Sequence, residues 1–303
     1  MNLDFTGRVA IVTGAGGGLG RQYALALAAR GAKVVVNDLG GSLNGLGLSA
    51  GAAQTVVDEI RAAGGEAIAN GASVTDFDAV RTMVQETMDT WGRVDVLVNN
   101  AGILRDRSFA KMDLGDFRLV MDVHLMGSVN CSKAVWDVML QQRYGRIVMT
   151  TSSSGLYGNF GQANYSAAKM AVVGLMQTLS IEGQKYNVHV NAIAPTAFTR
   201  MTEGLLEARA ADMLTPEAVV PAMLVLTHET APTRTILCAG AGTFEAAHIT
   251  LTEGIHVGIH ADSPERLANS LERVLNREHS VVPEAGSAQG KNEVEKAAAA
   301  LTR

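Results

Sequence analysis

Val9-Ala10-Ile11-Val12-Thr13-Gly14-Ala15-Gly16-Gly17-Gly18-Leu19-Gly20 sets a short apolar, partly β-branched run directly against a string of glycines. A run of that length bounded by a turn signal reads as a buried strand, and the Ala- and Leu-rich stretch from Leu19 to Arg30 reads as a helix. The segment is therefore strand, tight turn, helix. Glycine in such a turn permits positive φ and close backbone approach, so a pyrophosphate can rest on the helix N-terminus among unpaired N–H groups. Gly14, Gly18 and Gly20, with Leu19 between them, are the candidate residues of that loop. Without its strand and helix the same motif would be a tight turn and nothing more.

The alternation continues outward. Lys33 to Asn37 reads as a strand that stops at Asp38, and Gln54 to Ala63 as a helix closed by Gly64-Gly65. Ala67 to Asn70, Val94 to Asn99, Gly145 to Thr151 and Val188 to Ile193 read as further strands. Between them lie helices over Asp76 to Trp91, Leu114 to Leu140 (one or two) and Tyr165 to Tyr186. Strands separated by single helices imply right-handed crossovers, so the expected fold is α/β: a doubly wound parallel sheet of the Rossmann type. We expect one such domain over residues 1–260 and a C-terminal helix with a loose tail over 261–303. Gly40 to Gly51 has no periodicity and reads as an inserted loop beside the ligand crevice, while Thr215-Pro216-Glu217 and Ser263-Pro264-Glu265 read as helix starts.

Composition excludes several partner classes. The chain has 303 residues, 47% of them hydrophobic, enough for a substantial core, and a net charge of −5 with no long Lys/Arg run. No nucleic-acid partner is expected. No stretch is apolar enough to cross a bilayer, and the first residues lack the features of a signal peptide, which points to the cytoplasm. Cys131 and Cys238 stand far apart without ligand spacing and read as structural thiols. His256 and His260 fall in GIHVGIH, whose alternation suits a strand rather than a metal-binding helix, so no metal is expected.

Asp38 closes the second strand, where a carboxylate can accept from both hydroxyls of an adenosine ribose and would repel a 2′-phosphate. This favours NAD over NADP. Gly17 and the non-basic Asn37 agree, whereas Arg21 nearby argues the other way. Asn99-Asn100-Ala101-Gly102 leaves room for the adenine ribose, with structural bracing an equal account of Asn99. Tyr165 and Lys169, four apart on one helix, share a face, and an ammonium there lowers the pKa of a phenol, as would an oxidised nicotinamide. Ser152, at the end of a strand, can polarise a substrate carbonyl.

TGxxxGxG from Thr13 to Gly20, NNAG from Asn99 to Gly102, Ser152, and YxxxK from Tyr165 to Lys169 together resemble the short-chain dehydrogenase/reductase family. The resemblance implies hydride transfer between a nicotinamide and an alcohol or carbonyl carbon. It assigns Tyr165 as acid/base, Ser152 to the substrate oxygen, and Lys169 to the nicotinamide ribose and the Tyr pKa. It further places Asn100, Ala101 and Gly102 by the cofactor, Ser73 and Val74 beside adenine with Ser73 replacing the usual Asp, and Pro195 to Thr199 by the nicotinamide with Thr199 near its carboxamide. His124 stands where most members carry the asparagine of a proton relay, so it could hold the same water through a ring nitrogen or simply pack. VVVNDLGG (from Val34), VHLMGS (from Val123), SGLYGNFGQANYSAAK (from Ser154) and NAIAPTAFTRMTE (from Asn191) are similar to the (3R)-hydroxyacyl-CoA dehydrogenase units of type 2 multifunctional enzymes. That similarity implies NAD-dependent oxidation of a (3R)-hydroxyacyl-CoA in fatty-acid or sterol side-chain breakdown, by a homodimer or homotetramer built on the long central helices. A hydroxysteroid dehydrogenase acting on a ring hydroxyl, or another 3-ketoacyl reductase, is the enzymatic alternative. A non-catalytic dinucleotide-binding module is the reading from another class, and intact Ser152, Tyr165 and Lys169 speak against it.

Overall fold

The computed structural model describes residues 2–40, 51–198 and 212–301; most of the glycine-rich insertion, Thr199 and Arg200 lie outside the described residues. The strands are β1 (Val9–Thr13), β2 (Lys33–Asn37), β3 (Ala67–Asn70), β4 (Val96–Asn99), β5 (Gly145–Thr150), β6 (Val188–Thr196), β7 (Ile236–Gly240) and β8 (Thr243–Ala247). They form one sheet in the order β3-β2-β1-β4-β5-β6-β7-β8. Neighbours from β3 through β7 pair in parallel. Ala241 and Gly242, both at positive φ, join β7 to β8, and a two-residue connection of that kind makes an antiparallel hairpin.

Helices α1 (Gly18–Ala28), α2 (Gly51–Ala62), α3 (Phe77–Trp91), α4 (Leu114–Met121), α5 (Gly127–Gln142), α6 (Ser153–Tyr157), α7 (Ala163–Gly183) and α8 (Val220–Thr227) follow the strands in the expected alternation. Asp76 starts α3 by accepting from the N–H groups of Asp78 and Ala79, and Gly92 ends it in the left-handed region. On one face of the sheet, Val12, Val36, Val98 and Val148 pack with Leu27, Ile60 and Met223. Alternate strand residues such as Ile11, Val35, Leu97 and Ile147 are buried on the other face, where α5 and α7 lie against β4, β5 and β6. Both faces being covered explains why β5 is buried along its whole length.

Three elements differ from the sequence reading. The Leu114 to Leu140 helix is interrupted by a π turn over Asp122–Met126. Strand β6 continues through Pro195 to Thr196: its pairing with β5 ends at Ile193, so Pro195 sits where only β7 lies alongside and its missing N–H breaks no β5 bond. GIHVGIH is no strand, because Gly254 and Gly258 take positive φ and break the extended run. The chain falls into two compact units dividing between Ala246 and Ala247. The second carries α9 (Ser263–Asn269), α10 (Leu271–Leu275) and α11 (Ser287–Leu301). Its Ala-, Glu- and Lys-rich end, read as a loose tail, is the helix α11, in keeping with the helix propensity of those residues.

After β3 the chain returns to the far side of β1 to form β4, so the sheet order reverses there. The crevice for a ligand opens beyond the carboxyl ends of the strands at that point. The buried charges at the opposite ends are structural. Arg146 donates to the carbonyls of Asn187, His228 and Glu229, and Asp95 accepts from the N–H of Val9 and from Arg93.

Candidate active site

Gly14 takes φ +63° with its α-carbon against the end of β4, where a β-carbon would lie 2.8 Å from Ala101 Cα. A β-carbon on Gly20 would run into the Gly14 carbonyl oxygen and stand 2.6 Å from Asn100 Nδ2. The loop is held in that shape from beneath. Thr13 Oγ1 accepts from the N–H groups of Asn100 and Ala101, and Asn100 Nδ2 donates to the carbonyls of Thr13 and Gly14 at 3.0 and 3.1 Å. Gly20→Ala should therefore cost about 1–3 kcal/mol of stability by overpacking against backbone, read as a lower melting temperature, and should abolish saturable dinucleotide binding.

Gly18 takes φ +51° at the head of α1, whose first turn has no acidic residue and no side-chain cap, so its N–H groups face the loop unclaimed by side chains. At the end of β2 the carboxylate of Asp38 accepts from the N–H of Gly16 at 2.8 Å and from that of Gly40 at 2.7 Å. Gly16 can approach so closely only because it has no side chain; its β-carbon would meet Asp38 Cγ at 2.8 Å. Arg21, the residue that argued for a 2′-phosphate, points elsewhere, its Nε donating to Glu59 at 3.2 Å. Val74 is buried with its carbonyl held by Asn130 Nδ2 at 2.9 Å, and the Ser73 hydroxyl is bonded to that of Thr75 at 2.8 Å. Asn99 braces: its Nδ2 donates to Ser132 Oγ at 3.1 Å. A glycine cradle, uncapped N–H groups and a carboxylate at the end of β2 fit a dinucleotide.

Ser152, Tyr165 and Lys169 come together beyond the end of β5. Ser152 caps α6, its Oγ accepting from the N–H of Ser154 at 3.1 Å, and it stands near enough to Tyr165 to lower the pKa of the phenol. Lys169 is buried, its Nζ donating to the Thr150 carbonyl at 2.7 Å and lying 5.5 Å from the centroid of the Tyr165 ring. Gly155 lets α6 close onto α7, since a β-carbon there would stand 2.7 Å from Lys169 Cβ. Burial pushes the Lys169 amine down to about 7. The phenol moves against the sequence expectation: burial pushes Tyr165 up to about 12, the Ser152 hydrogen bond lowers it, and Asp106 raises it further. Desolvation of the phenol outweighs the neighbouring amine, whose Nζ is turned to Thr150.

His124 is buried in the π turn, its ring edge-on to Tyr165 with centroids 5.2 Å apart. Its Nε2 lies 2.8 Å from the Ile103 carbonyl oxygen and 3.1 Å from the Ile103 nitrogen, while its Nδ1 is buried without a partner. Burial, with the charge of Lys169, holds the imidazole well below its ordinary pKa and hence neutral. A neutral ring donating through Nε2 to Ile103 leaves Nδ1 as a hydrogen-bond acceptor. Gly102 makes room for this ring, because a β-carbon there would fall on it.

Pro195 stands in β6 and Thr199 lies outside the described residues. Arg105 is ion-paired with Asp116 at 3.6 Å, and Arg107 donates its backbone N–H to Gly161 at 2.9 Å. Sequence reasoning missed what these backbone contacts belong to, a staple between the loop after β4 and the start of α7. Asn164 Nδ2 donates to the Arg105 carbonyl at 2.9 Å, and Gln162 Nε2 donates to Asp106 Oδ2 at 2.7 Å. No local motif signals a pair 56 residues apart. Among the described residues no group of three or more His, Cys, Asp or Glu side chains could hold a metal, and no helix is long and apolar enough to cross a membrane.

The chain is 57% identical over 228 residues to the peroxisomal hydratase-dehydrogenase-epimerase of Saccharomyces cerevisiae, covering 75% of this chain and 25% of the yeast protein. It thus spans about a quarter of that relative's length. The solved structure of full-length peroxisomal multifunctional enzyme type 2 from Drosophila melanogaster matches with TM-score 0.79 at 38% identity, over 96% of this chain and 49% of that one. A 7α-hydroxysteroid dehydrogenase complexed with NADH and 7-oxo glycochenodeoxycholic acid matches with TM-score 0.72 at 30% identity, over 80% of this chain and 96% of that one. The short chain dehydrogenase family model matches residues 8–210, and with the Rossmann-type sheet and the Ser152, Tyr165 and Lys169 cluster this places the chain in the short-chain dehydrogenase/reductase family.

Proposed function

We propose that the chain oxidises a (3R)-hydroxyacyl-CoA at C3 to the 3-ketoacyl thioester, with NAD as its cofactor. The observation that carries this reading is Ser152 and Tyr165 brought together beside Lys169 at the carboxyl end of the sheet; the thioester comes from the likeness to the multifunctional enzymes. Gly14, Gly18, Leu19, Gly20, Asp38, Ser73, Val74, Asn100, Ala101, Gly102, Tyr165, Lys169, Pro195 and Thr199 would hold the dinucleotide, and when bound it supplies the acceptor for the hydride that leaves C3. Ser152 donates a hydrogen bond to the substrate oxygen and fixes it against Tyr165. Tyr165 takes the hydroxyl proton as general base, and in the reverse direction returns it. Lys169 supplies positive charge that lowers the cost of the phenolate. His124, through Nδ1, holds a water that carries the proton onward. Self-association through α5 and α7, as a homodimer or homotetramer, and residence in the cytoplasm belong to the same reading, although the yeast and fly relatives are named as peroxisomal.

NAD is favoured by the charge of Asp38 and by the engagement of Arg21 with Glu59. Asp38→Asn keeps an acceptor for Gly16 while removing the charge that repels a 2′-phosphate. The ratio of kcat/KM with NADP to that with NAD should rise about 10²-fold, a change of about 3 kcal/mol. An unchanged ratio would place cofactor choice elsewhere.

The second reading, a ring hydroxyl as substrate, draws on the likeness to the hydroxysteroid dehydrogenase. The deciding experiment offers purified protein a (3R)-hydroxyacyl-CoA and a free hydroxysteroid separately, comparing kcat/KM. Preference for the thioester supports the first reading, and turnover of the steroid with a silent thioester moves the substrate to the ring system.

A further inference from the structure

Asp106 lies in the loop after β4, with one carboxylate oxygen engaged and the other not. Oδ2 accepts from Gln162 Nε2 at 2.7 Å, while Oδ1 is buried with no hydrogen-bond partner. The donor is itself fixed: Gln162 is buried, its Oε1 accepts from Asn159 Nδ2 at 3.0 Å, and it stands immediately before the first turn of α7. Tyr165 is three residues further on, hence a neighbour of Gln162 on the helix surface. The buried Asn164 ties the same turn to the Arg105 carbonyl at 2.9 Å and accepts the backbone N–H of Tyr165 at 2.8 Å. The carboxylate is thus held over the helix turn that carries the phenol, and a half-satisfied buried carboxylate is costly to keep without a purpose.

We propose that Asp106, held by Gln162, is a positioning residue whose negative charge keeps the Tyr165 hydroxyl in its proton-carrying form until substrate and cofactor are in place. The inference rests on the reading of Tyr165 as acid/base. The other charged or titratable groups around Tyr165 are few. His124 faces it from the π turn and is neutral, Lys169 lies one turn along α7, and Arg105 is paired with Asp116 of α4. Asp106 raises the phenol's pKa, opposing the Ser152 bond. A phenol so balanced keeps its proton in the free protein and needs added positive charge to act as a base.

Asp106→Asn tests this, since the amide keeps an oxygen for Gln162 and loses only the charge. The pH profile of kcat/KM for alcohol oxidation should show its acid limb moved about 0.5–1 unit lower, so that the rate at a fixed pH below the limb rises about 3- to 10-fold. Asp106→Glu, which restores the charge, should return the limb toward its original position. A limb unmoved or moved upward in a folded Asp106→Asn overturns the inference. Should that variant fail to fold, Gln162→Met releases the carboxylate from its donor and moves the limb lower as well; a limb unmoved or moved upward there overturns the inference equally. Tyr165→Phe run in parallel separates the two readings. Residual turnover of that variant with the same limb overturns the acid/base assignment and this inference together, whereas a limb lost in Tyr165→Phe but static in Asp106→Asn overturns this inference alone.

Discussion

Tyr165→Phe should lower kcat for alcohol oxidation about 10³-fold while leaving the fold and dinucleotide affinity close to those of the parent. The ring stays. It continues to pack against Ile103, Val120 and Ala168 and to stand edge-on to His124, so the core around it has no cavity to fill. What goes is the hydroxyl beside Ser152, the group proposed to exchange a proton with a substrate oxygen at that point. Steady-state kinetics together with a cofactor titration and a thermal melt separate lost chemistry from lost structure. Activity within about tenfold of the parent would remove Tyr165 from the acid/base role, since a positioned proton-transfer group is worth more than that.

Lys169→Met should lower kcat about 10²- to 10³-fold and, near pH 6, make the free protein more stable. The folded protein holds this amine at about 7 because burial disfavours its charge, whereas the unfolded chain keeps its ordinary 10.5. Between those values the unfolded state binds more protons, so the parent's stability rises with pH across that window and is lowest, from this group, below about 7. Methionine fills similar volume with no charge to desolvate. Its gain is offset in part by the Thr150 carbonyl, which loses the hydrogen bond from Nζ. The net advantage near pH 6 should be on the order of 1–3 kcal/mol and should shrink toward pH 10. Denaturant melts of both proteins at pH 6, 8 and 10 check this; a variant less stable than the parent at every pH would mean that the amine is solvated in the free protein. The site retains a residue that costs stability, as expected where function needs a buried charge.

The fold was legible in the sequence wherever one short-range rule settled the matter. Val9 to Gly20 had to be strand, turn and helix, and the alternation after it implied that β1 to β6 run parallel, though not their order in the sheet. Tyr165 and Lys169 shared a face because any two residues four apart on a helix do. The misses came where a distant neighbour decided. The π turn at Asp122–Met126 has no signature in its own five residues, and Pro195 stays in β6 because β5 has stopped pairing there. The pKa of Tyr165 moves up rather than down because burial, a property of the folded surroundings, exceeds the effect of one helix neighbour. Asp38 illustrates both sides. Its place at the end of β2 was readable, but its bonds to the N–H groups of Gly16 and Gly40, and the diversion of Arg21 to Glu59, required the packed helices.

Stereospecific, NAD-linked oxidation at a thioester's C3 is the activity proposed for this crevice. The most direct measurement follows nicotinamide absorbance on adding NAD to purified protein with the 3R or the 3S hydroxyacyl-CoA, confirming the 3-ketoacyl product by mass. Nicotinamide reduction and ketone are expected with the 3R isomer and neither with the 3S. Equal turnover of both isomers, or none with 3R under conditions where a simple alcohol is oxidised, would contradict it.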